Sequence, residues 1–588
     1  LSNFMSVAMC AVVFMLACLP VAAHTYRSQP VELSVESQRA TAARASAWTL
    51  AELLLAFTPA ALWRPACAAW PSALLSRAPR RPPCFAQMAA TADDVIECDY
   101  LVVGAGASGM AFVDTLLLHA PEPVDVVLLD KRAQPGGHWN DAYSFVTLHQ
   151  PARNYGVESS ALEANVQHPE LLASRTEILN YYRAVLDGWQ AKGHKVRFIG
   201  GSAYDFKSGS YTSSDGAKTM TTVNAGKVVD ARYTENDIPL HVPPKFGFST
   251  DRLTVIPPNK LPSLDQKASQ GRFCVLGAGK TGQDTMLYLR KVLGVPVENI
   301  VWVMPNDPWI TARDPPSPLR QNTCMEFIAS VLEAHADAGA PAGAASSADF
   351  LQRGFKRLEA EGKVYRIDPN VTPTKFMDAT LNSDEIEVLR SCVPCIVRHG
   401  NSRVASISEN GDLVFSDGFT MPLPWAHEDD AEAVKGTTFV HCTAGAFNFG
   451  SSAAEEQRPV FSSDKLITVQ EIFQFPGFCF NGAVIAWLEC QRSLSQTDKN
   501  ALCELVPVCK PAVPSPLGPV AGSVGPLSSD HPLVVSLRNL RRWYATGSMG
   551  EWLHTLRLFS LSMNGYSLEE GRALAESNYD ALVALGVM

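Results

Sequence analysis

Two glycine-rich turns mark where this chain can hold phosphate: Gly104-Ala105-Gly106-Ala107-Ser108-Gly109 and Gly277-Ala278-Gly279-Lys280-Thr281-Gly282. Glycines let the backbone approach a pyrophosphate, and a helix starting at the turn adds unpaired N–H groups. Candidate contacts are Gly104, Gly106, Ser108 and Gly109 in the first turn, and Gly277, Gly279, Lys280, Thr281 and Gly282 in the second. Asp130 stands one βαβ length beyond Gly104, where an acid accepts from a ribose hydroxyl, and Lys131 and Arg132 follow it. Two such turns imply two dinucleotides. The simplest pair is a flavin facing a nicotinamide, with hydride passing between them.

The flanking residues predict the elements that position these turns. Tyr100 to Val103 and Arg272 to Leu276 are apolar runs of strand length. Each turn then opens a stretch of helical apolar spacing, in the first case Met110, Phe112, Val113, Leu116 and Leu117, ended by Pro121 and Pro123. Val124 to Asp130 and Asn299 to Met304 read as the second strands. No arginine directly follows the latter, and Lys280 and Arg313 are the cations at hand for a 2′-phosphate, so NADPH and NADH both stand, with NADPH preferred. Thr176 to Gln190 reads as a helix, and Lys195 to Ile199 and Thr221 to Ala231 as strands. Asn322 to Cys392 is helical in pattern and longer than a plain nucleotide domain requires. Thr437 to Gly445 reads as a buried strand ending in a glycine turn, taken as the return to the first sheet, with Gly445 as a further cofactor contact.

Composition narrows the function class. The chain has 588 residues, 46% of them hydrophobic, which implies several cores. A net charge of −10 argues against a nucleic-acid partner. The 14 cysteines lack zinc-type spacing and read as reduced core thiols, and no metal site is expected. Cys392-Val393-Pro394-Cys395 is the one C-x-x-C, far from both glycine turns and just before a hairpin around Val404 to Phe415. No segment after the first ~90 residues reaches the ~18 uninterrupted apolar residues of a membrane span. Those first residues are apolar from Met5 to Ala23, then rich in Ser, Ala and Arg. They are similar to the signal-plus-transit leaders of algae with complex plastids. Two expectations stand: a plastid or other organelle if the leader is genuine, and the cytoplasm if translation starts at Met88.

The segment after Asp130 is the most specific. Pro135-Gly136-Gly137-His138-Trp139-Asn140 resembles the Gly-Gly-Thr-Trp segment of the flavin-containing monooxygenase group, including its Baeyer–Villiger and N-hydroxylating relatives, with His138 in place of threonine. Tyr143, His149 and Pro151 match that group's Tyr, Asn and Pro offsets, so His149 takes the place of an asparagine near the flavin C4a edge. Residues 99 to about 510 also resemble a set of bacterial FAD/NAD(P)-binding proteins that share the Gly-Gly-His-Trp-Asn string, Leu148-His149-Gln150-Pro151 and Val-Leu-Gly-Ala-Gly-Lys-Thr-Gly282. The resemblance implies FAD reduced by NADPH or NADH, oxygen activated as a C4a-(hydro)peroxide, and a small organic substrate. It implies contacts to FAD from Gly137, His138 and Trp139, and catalytic roles for His149 and His138, each a donor to the peroxide or a proton carrier. The group's Phe-x-Gly-x-x-x-His fingerprint is missing before the second turn, where Pro243 to Phe248 and Ile256 to Asn259 stand instead. A flavin dehydrogenase or reductase without oxygen insertion, and a non-catalytic flavoprotein module, therefore remain as alternatives.

The expected fold is α/β, with two Rossmann-like dinucleotide domains, the second inserted in the first, plus a helical insertion and C-terminal helices. The expected boundaries are a leader over 1–92, the FAD domain over 93–270, the nicotinamide domain with its insertion over 271–435, the return to the FAD domain over 436–526 and a helical segment over 527–588.

Overall fold

A computed structural model describes residues 95–213, 220–232, 238–264, 270–313, 324–339, 349–400, 402–425, 436–443, 457–474, 477–507 and 527–588. The expected leader and Gly445 lie outside them.

The first sheet starts with β1 (Ile96–Val103), which runs through the glycine turn into α1 (Ala107–His119) and β2 (Asp125–Leu129). Both strands end in an apolar run buried on both faces, the pattern of a parallel sheet covered by helices. The chain leaves through α2 (Arg175–Ala191), opened by a reciprocal Ser174–Glu177 capping box. It re-enters as β3 (Lys195–Ile199), parallel to β2. An antiparallel meander of β4 (Ser202–Asp205), β5 (Ser210–Ser213) and the long β6 (Met220–Asp230) then brings the chain back against the other side of β1. The glycine turn thus lies at the carboxyl end of β1, between β2 and β6, the usual ligand crevice of a doubly wound sheet.

The second sheet is wholly parallel. Its first strand in the chain is β7 (Thr254–Ile256), followed by β8 (Arg272–Leu276), the second glycine turn, α3 (Lys280–Leu287) and β9 (Ile300–Val303). An insertion follows: β10 (Pro308–Ala312), α4 (Cys324–Asp337), α5 (Asp349–Ala360), β11 (Val364–Tyr365), β12 (Lys375–Leu381) and α6 (Ser383–Ser391). The helical pattern read over this stretch is incomplete, because β10 pairs with β11 and β12 in a small sheet of its own. Then come β13 (Ile396–Val397), the antiparallel strands β14 (Val404–Ile407), β15 (Leu413–Phe415) and β16 (Thr420–Met421), and β17 (Thr437–His441). The strand order is β13-β9-β8-β17-β7.

β17 corrects the expected return to the first sheet. Thr437 to His441 pair residue for residue with Arg272 to Leu276 of β8, so this strand belongs to the second sheet. The return comes later, through β18 (Phe461–Ser463) and β19 (Leu466–Thr468), with β19 parallel to β6. The first sheet is thereby completed only after the second, so the second domain is inserted in the first.

α7 (Phe478–Cys490) follows and packs along α1. It is buried on nearly every face, as its mostly apolar composition requires, with Asn481 and Glu489 as its two buried polar side chains. Further helices close the chain, among them α8 (Pro532–Ala545), α9 (Gly547–Thr555) and α10 (Leu568–Ala584). Trp543 and Tyr544 are buried on α8, while Arg541 stacks over Tyr579 of α10 at 4.0 Å. Among the described residues, no helix is long and apolar enough to cross a membrane.

The α1–α7 contact depends on Gly482, where a Cβ would stand 2.4 Å from the Ser108 carbonyl oxygen. Gly482→Ala must part the two helices. It is expected to cost about 1–3 kcal/mol, as overpacking does, and to lower the thermal midpoint measured by circular dichroism. An unchanged midpoint would refute this packing.

Candidate functional site: two glycine cradles joined by one strip

The first cradle is made of backbone. Gly104 N–H donates to the Leu129 carbonyl at 2.7 Å, which ties the turn to β2. Gly106 precedes α1 without a side-chain cap, so the helix start keeps N–H groups for a ligand. Gly136 N–H donates to the Ala105 carbonyl at 2.8 Å and lays the Gly-Gly-His-Trp segment against the turn. Gly137 has φ of +54°, and a Cβ there would lie 2.8 Å from the Gly106 Cα, so only glycine permits this approach.

Gly104, Gly106, Ser108, Asp130, Lys131, Arg132, Gly137 and His138 line one cavity of about 220 Å³. Asp130 is buried and shapes the turn as well as facing the cavity: it accepts from Ala105 N–H at 2.7 Å and from Arg132 N–H at 2.8 Å. Gly109 packs behind, where a Cβ would strike the Gly104 carbonyl oxygen at 1.9 Å. Phe478, the first residue of α7, also lines the cavity, so two helix starts meet there. Lys131, Arg132 and Arg232 surround it with positive charge, which suits an anion. Arg232 grips Asp230 through Nε at 3.0 Å and lies 4.3 Å above the Phe206 ring. Neither Arg232 nor Phe478 was among the candidates read from sequence.

The Gly137–Asn140 turn is pinned from behind. Arg175 of α2 donates to the carbonyls of Trp139 at 2.9 Å and Asn140 at 2.5 Å. Asn140 donates back to the Gly137 carbonyl at 3.0 Å. Trp139 is buried outside the cavity lining, with its indole N–H on the Tyr155 hydroxyl at 2.8 Å, and the His138 ring stacks on it at 5.4 Å. Arg175 was also missed, since an arginine at a helix start carries no local signature.

The second cradle repeats the plan. Gly277 has φ of +127° and sits 2.8 Å, by its missing Cβ, from the Cys442 carbonyl oxygen. Trp302 of β9 donates to the Gly277 carbonyl at 2.8 Å. Gly279 opens α3 with no neighbour over it. Lys280 and Thr281 occupy the first turn of that helix, and Gly282 packs against the Gly277 carbonyl. Neither cation expected to meet a 2′-phosphate is free. Lys280 is paired with Asp284. Arg313, with a side chain only 2% exposed, is held by Glu170 and Glu385 and donates to the carbonyls of His149 at 3.0 Å and Thr380 at 3.2 Å. Burial favours this arrangement, because an enclosed guanidinium requires carboxylates around it.

One strip of chain joins the cradles. Leaving Asn140, it receives a hydrogen bond on the Asp141 carbonyl from Asn259 at 2.9 Å. Tyr143 donates to Asp284 of α3 at 2.7 Å, and Phe145 stacks on Tyr288 at 4.1 Å. Burial, then the Asp284 charge, holds the Tyr143 hydroxyl well above its usual proton affinity, so it stays a donor. His149 follows, its Nδ1 closed off and without a partner. Burial first, and then the charges of Lys280 and Arg313, bring its pKa down to about 3. His138 lines the first cavity, and His149 lies near Lys280 and Arg313. His149 is neutral near pH 7, a state in which its ring can hydrogen-bond.

Residues 102–162 match the NAD(P)-binding Rossmann-like domain family. Two curated relatives, the uncharacterized proteins Rv2000 of Mycobacterium tuberculosis and Mb2023 of Mycobacterium bovis, are each 33% identical over 481 residues, covering 79% of this chain and 78% of theirs. Among solved structures, cyclohexanone monooxygenase in its closed form is similar at a TM-score of 0.42 and 14% identity, over 84% of this chain and 98% of that one. A steroid monooxygenase bound to NADP has a TM-score of 0.42 and 12% identity, over 84% and 99%.

The neutral state of His149 has a measurable consequence. Its pKa is about 3 in the fold against an ordinary 6.5, so between these values the unfolded chain binds a proton that the native ring does not. Stability then falls as pH drops from 6.5 toward 3. His531, held near 4 by burial, adds a slope of the same sign. His149→Asn is expected to flatten the thermal midpoint against pH in this window. A slope equal to that of the unaltered protein would show that the ring is not buried as described.

Proposed function

This chain belongs to the family of the two mycobacterial proteins, and from its paired cradles we propose an FAD-dependent oxidoreductase reduced by NAD(P)H, acting as a monooxygenase on a small organic substrate. The carrying observation is the strip Gly137–His149, which starts against one phosphate-type turn and ends beside the other. Two dinucleotides seated at these turns are held by neighbouring parts of one segment.

The residues fit such a ligand. The Gly106–Gly137 approach, the uncapped start of α1 and the cations around the cavity suit the pyrophosphate of FAD. Asp130, which lines the same cavity, would accept from a ribose hydroxyl. Flavin, when bound, supplies hydride acceptance from a nicotinamide and reaction with dioxygen. This chain's own groups do the rest. Arg175 fixes the Gly137–Asn140 turn, and Trp139 with Tyr155 walls it. Neutral His149 offers Nδ1 as a hydrogen-bonding atom in an enclosed place, where one such bond is strong. Arg313 holds the His149 carbonyl, so the ring's position is set from the backbone.

A second reading, a flavin reductase without oxygen insertion, is favoured by the Pro243–Phe248 and Ile256–Asn259 segments, which depart from the monooxygenase fingerprint. Purified protein is expected to be yellow, to release FAD on denaturation and to oxidise NADPH or NADH in air. Oxygenated product formed in step with nicotinamide oxidation supports the monooxygenase. Turnover only with an artificial acceptor supports the reductase. Gly106→Val is expected to purify without flavin. A colourless wild-type product that FAD cannot reconstitute would falsify both readings.

A further inference from the structure

The Cys392-Val393-Pro394-Cys395 turn has no part in the dinucleotide sites. Cys392 caps the C-terminus of α6, and Val393–Cys395 form one tight turn leading into β13. This turn packs against Val297–Asn299, the segment that feeds the amino end of β9. The strands of this sheet are parallel, and Ile396 pairs with Trp302, so Cys395 enters the sheet level with Val301 of β9.

Their geometry is that of a pair. Cys395 N–H donates to the Cys392 carbonyl at 3.0 Å. A turn closed this way brings its end Cα atoms within about 7 Å, and a disulfide spans about 4.4–6.8 Å. The Cys395 Sγ folds back to 3.0 Å from the same carbonyl oxygen. Both thiols are free.

Their chemistry sets them apart from the other described free cysteines. Burial pushes Cys98 and Cys479 up to about 11, Cys442 and Cys490 up to about 12, and Cys274 and Cys503 upward as well. Cys392 moves the other way, downward. The hydrogen bond from Cys395 is the largest cause, with Ser391 and the Arg290 guanidinium adding to it against burial. The same bond raises Cys395, which therefore keeps its proton. Arg290 spends Nη1 on the Val295 carbonyl and has its Nε buried without a partner. The positive charge of that guanidinium is among the causes that lower Cys392.

We propose that Cys392 and Cys395 form a reversible dithiol–disulfide pair whose oxidant is hydrogen peroxide. The Cys392 thiolate attacks one peroxide oxygen, the O–O bond breaks, hydroxide leaves and a sulfenic acid forms on Cys392. The Cys395 sulfur then attacks that sulfur. The S–S bond forms, the S–O bond breaks, and the departing hydroxyl leaves as water with the Cys395 proton. Two electrons pass from the thiols to one peroxide. Cys392 is fully buried and Cys395 half-buried, so an oxidant must reach the pair from the Cys395 side and be as small as a peroxide. Nothing in this assignment depends on the dinucleotide reading.

The test treats the full chain with hydrogen peroxide, alkylates the remaining thiols and maps the peptides by mass. The expected result is a peptide carrying both cysteines that is lighter by two hydrogens, unalkylated, and restored by dithiothreitol. Cys395→Ser is expected to leave a sulfenic acid on Cys392 that dimedone traps. Arg290→Gln is expected to slow closure. Full alkylation of both cysteines after peroxide, or absence of the dimedone adduct in Cys395→Ser, would overturn the proposal.

Discussion

The contact between two stretches of backbone at Gly106 and Gly137 governs the site. A single methyl group at Gly137 would meet the Gly106 Cα at 2.8 Å, so the turn after β1 and the turn before Trp139 are held at a separation that only glycines allow. The Gly136 hydrogen bond to Ala105 sets the register of that contact, and Arg175 fixes its outer side. The direction in which the chain leaves Asn140 follows from this clamp. Because it leaves toward α3, Tyr143 and Phe145 can reach Asp284 and Tyr288. The join between the two Rossmann-like domains is thus a continuation of the first phosphate-type turn.

The insertion takes its place in this scheme through Arg313. Its guanidinium collects one carboxylate from Glu170, ahead of α2, and another from Glu385 on α6, along with the carbonyls of His149 and Thr380. Glu385 also completes the capping box of α6 with Asn382, so one side chain starts a helix and anchors the arginine. A charge buried this deeply is costly to strip of any partner. The His149 backbone is therefore held by groups from the insertion, while its ring is left with an unpaired nitrogen. Keeping that nitrogen unpaired is itself unfavourable, which makes it a natural place for a ligand atom to bind.

The local units were legible because their signals are local. Glycine spacing, a preceding apolar run and a following acid all fall within one βαβ length, and the strands β1, β2, β3 and β8 lie where the pattern put them. The strand at Thr437 was assigned to the wrong sheet because an apolar run ending in glycine looks the same whichever neighbour it pairs with. The helical pattern read over Asn322 to Cys392 concealed β12, whose partner β10 lies more than fifty residues earlier and leaves no short-range trace. Arg313 was read as a free cation because sequence shows charge and not its partners. The same blindness hid Arg175 and Arg232, whose roles come from what stands opposite them in space.

The thiol turn enters the second sheet at its edge. Ile396 of β13 pairs with Trp302, so Cys395, one residue before it, stands level with Val301 in the body of β9. The turn itself packs against Val297–Asn299, ahead of that strand. A dithiol so placed answers to an oxidant that diffuses to it. The thiol pair and the second cradle share one sheet: β13, which the thiol turn enters, pairs with Trp302 and Val303, and Trp302 holds the Gly277 carbonyl.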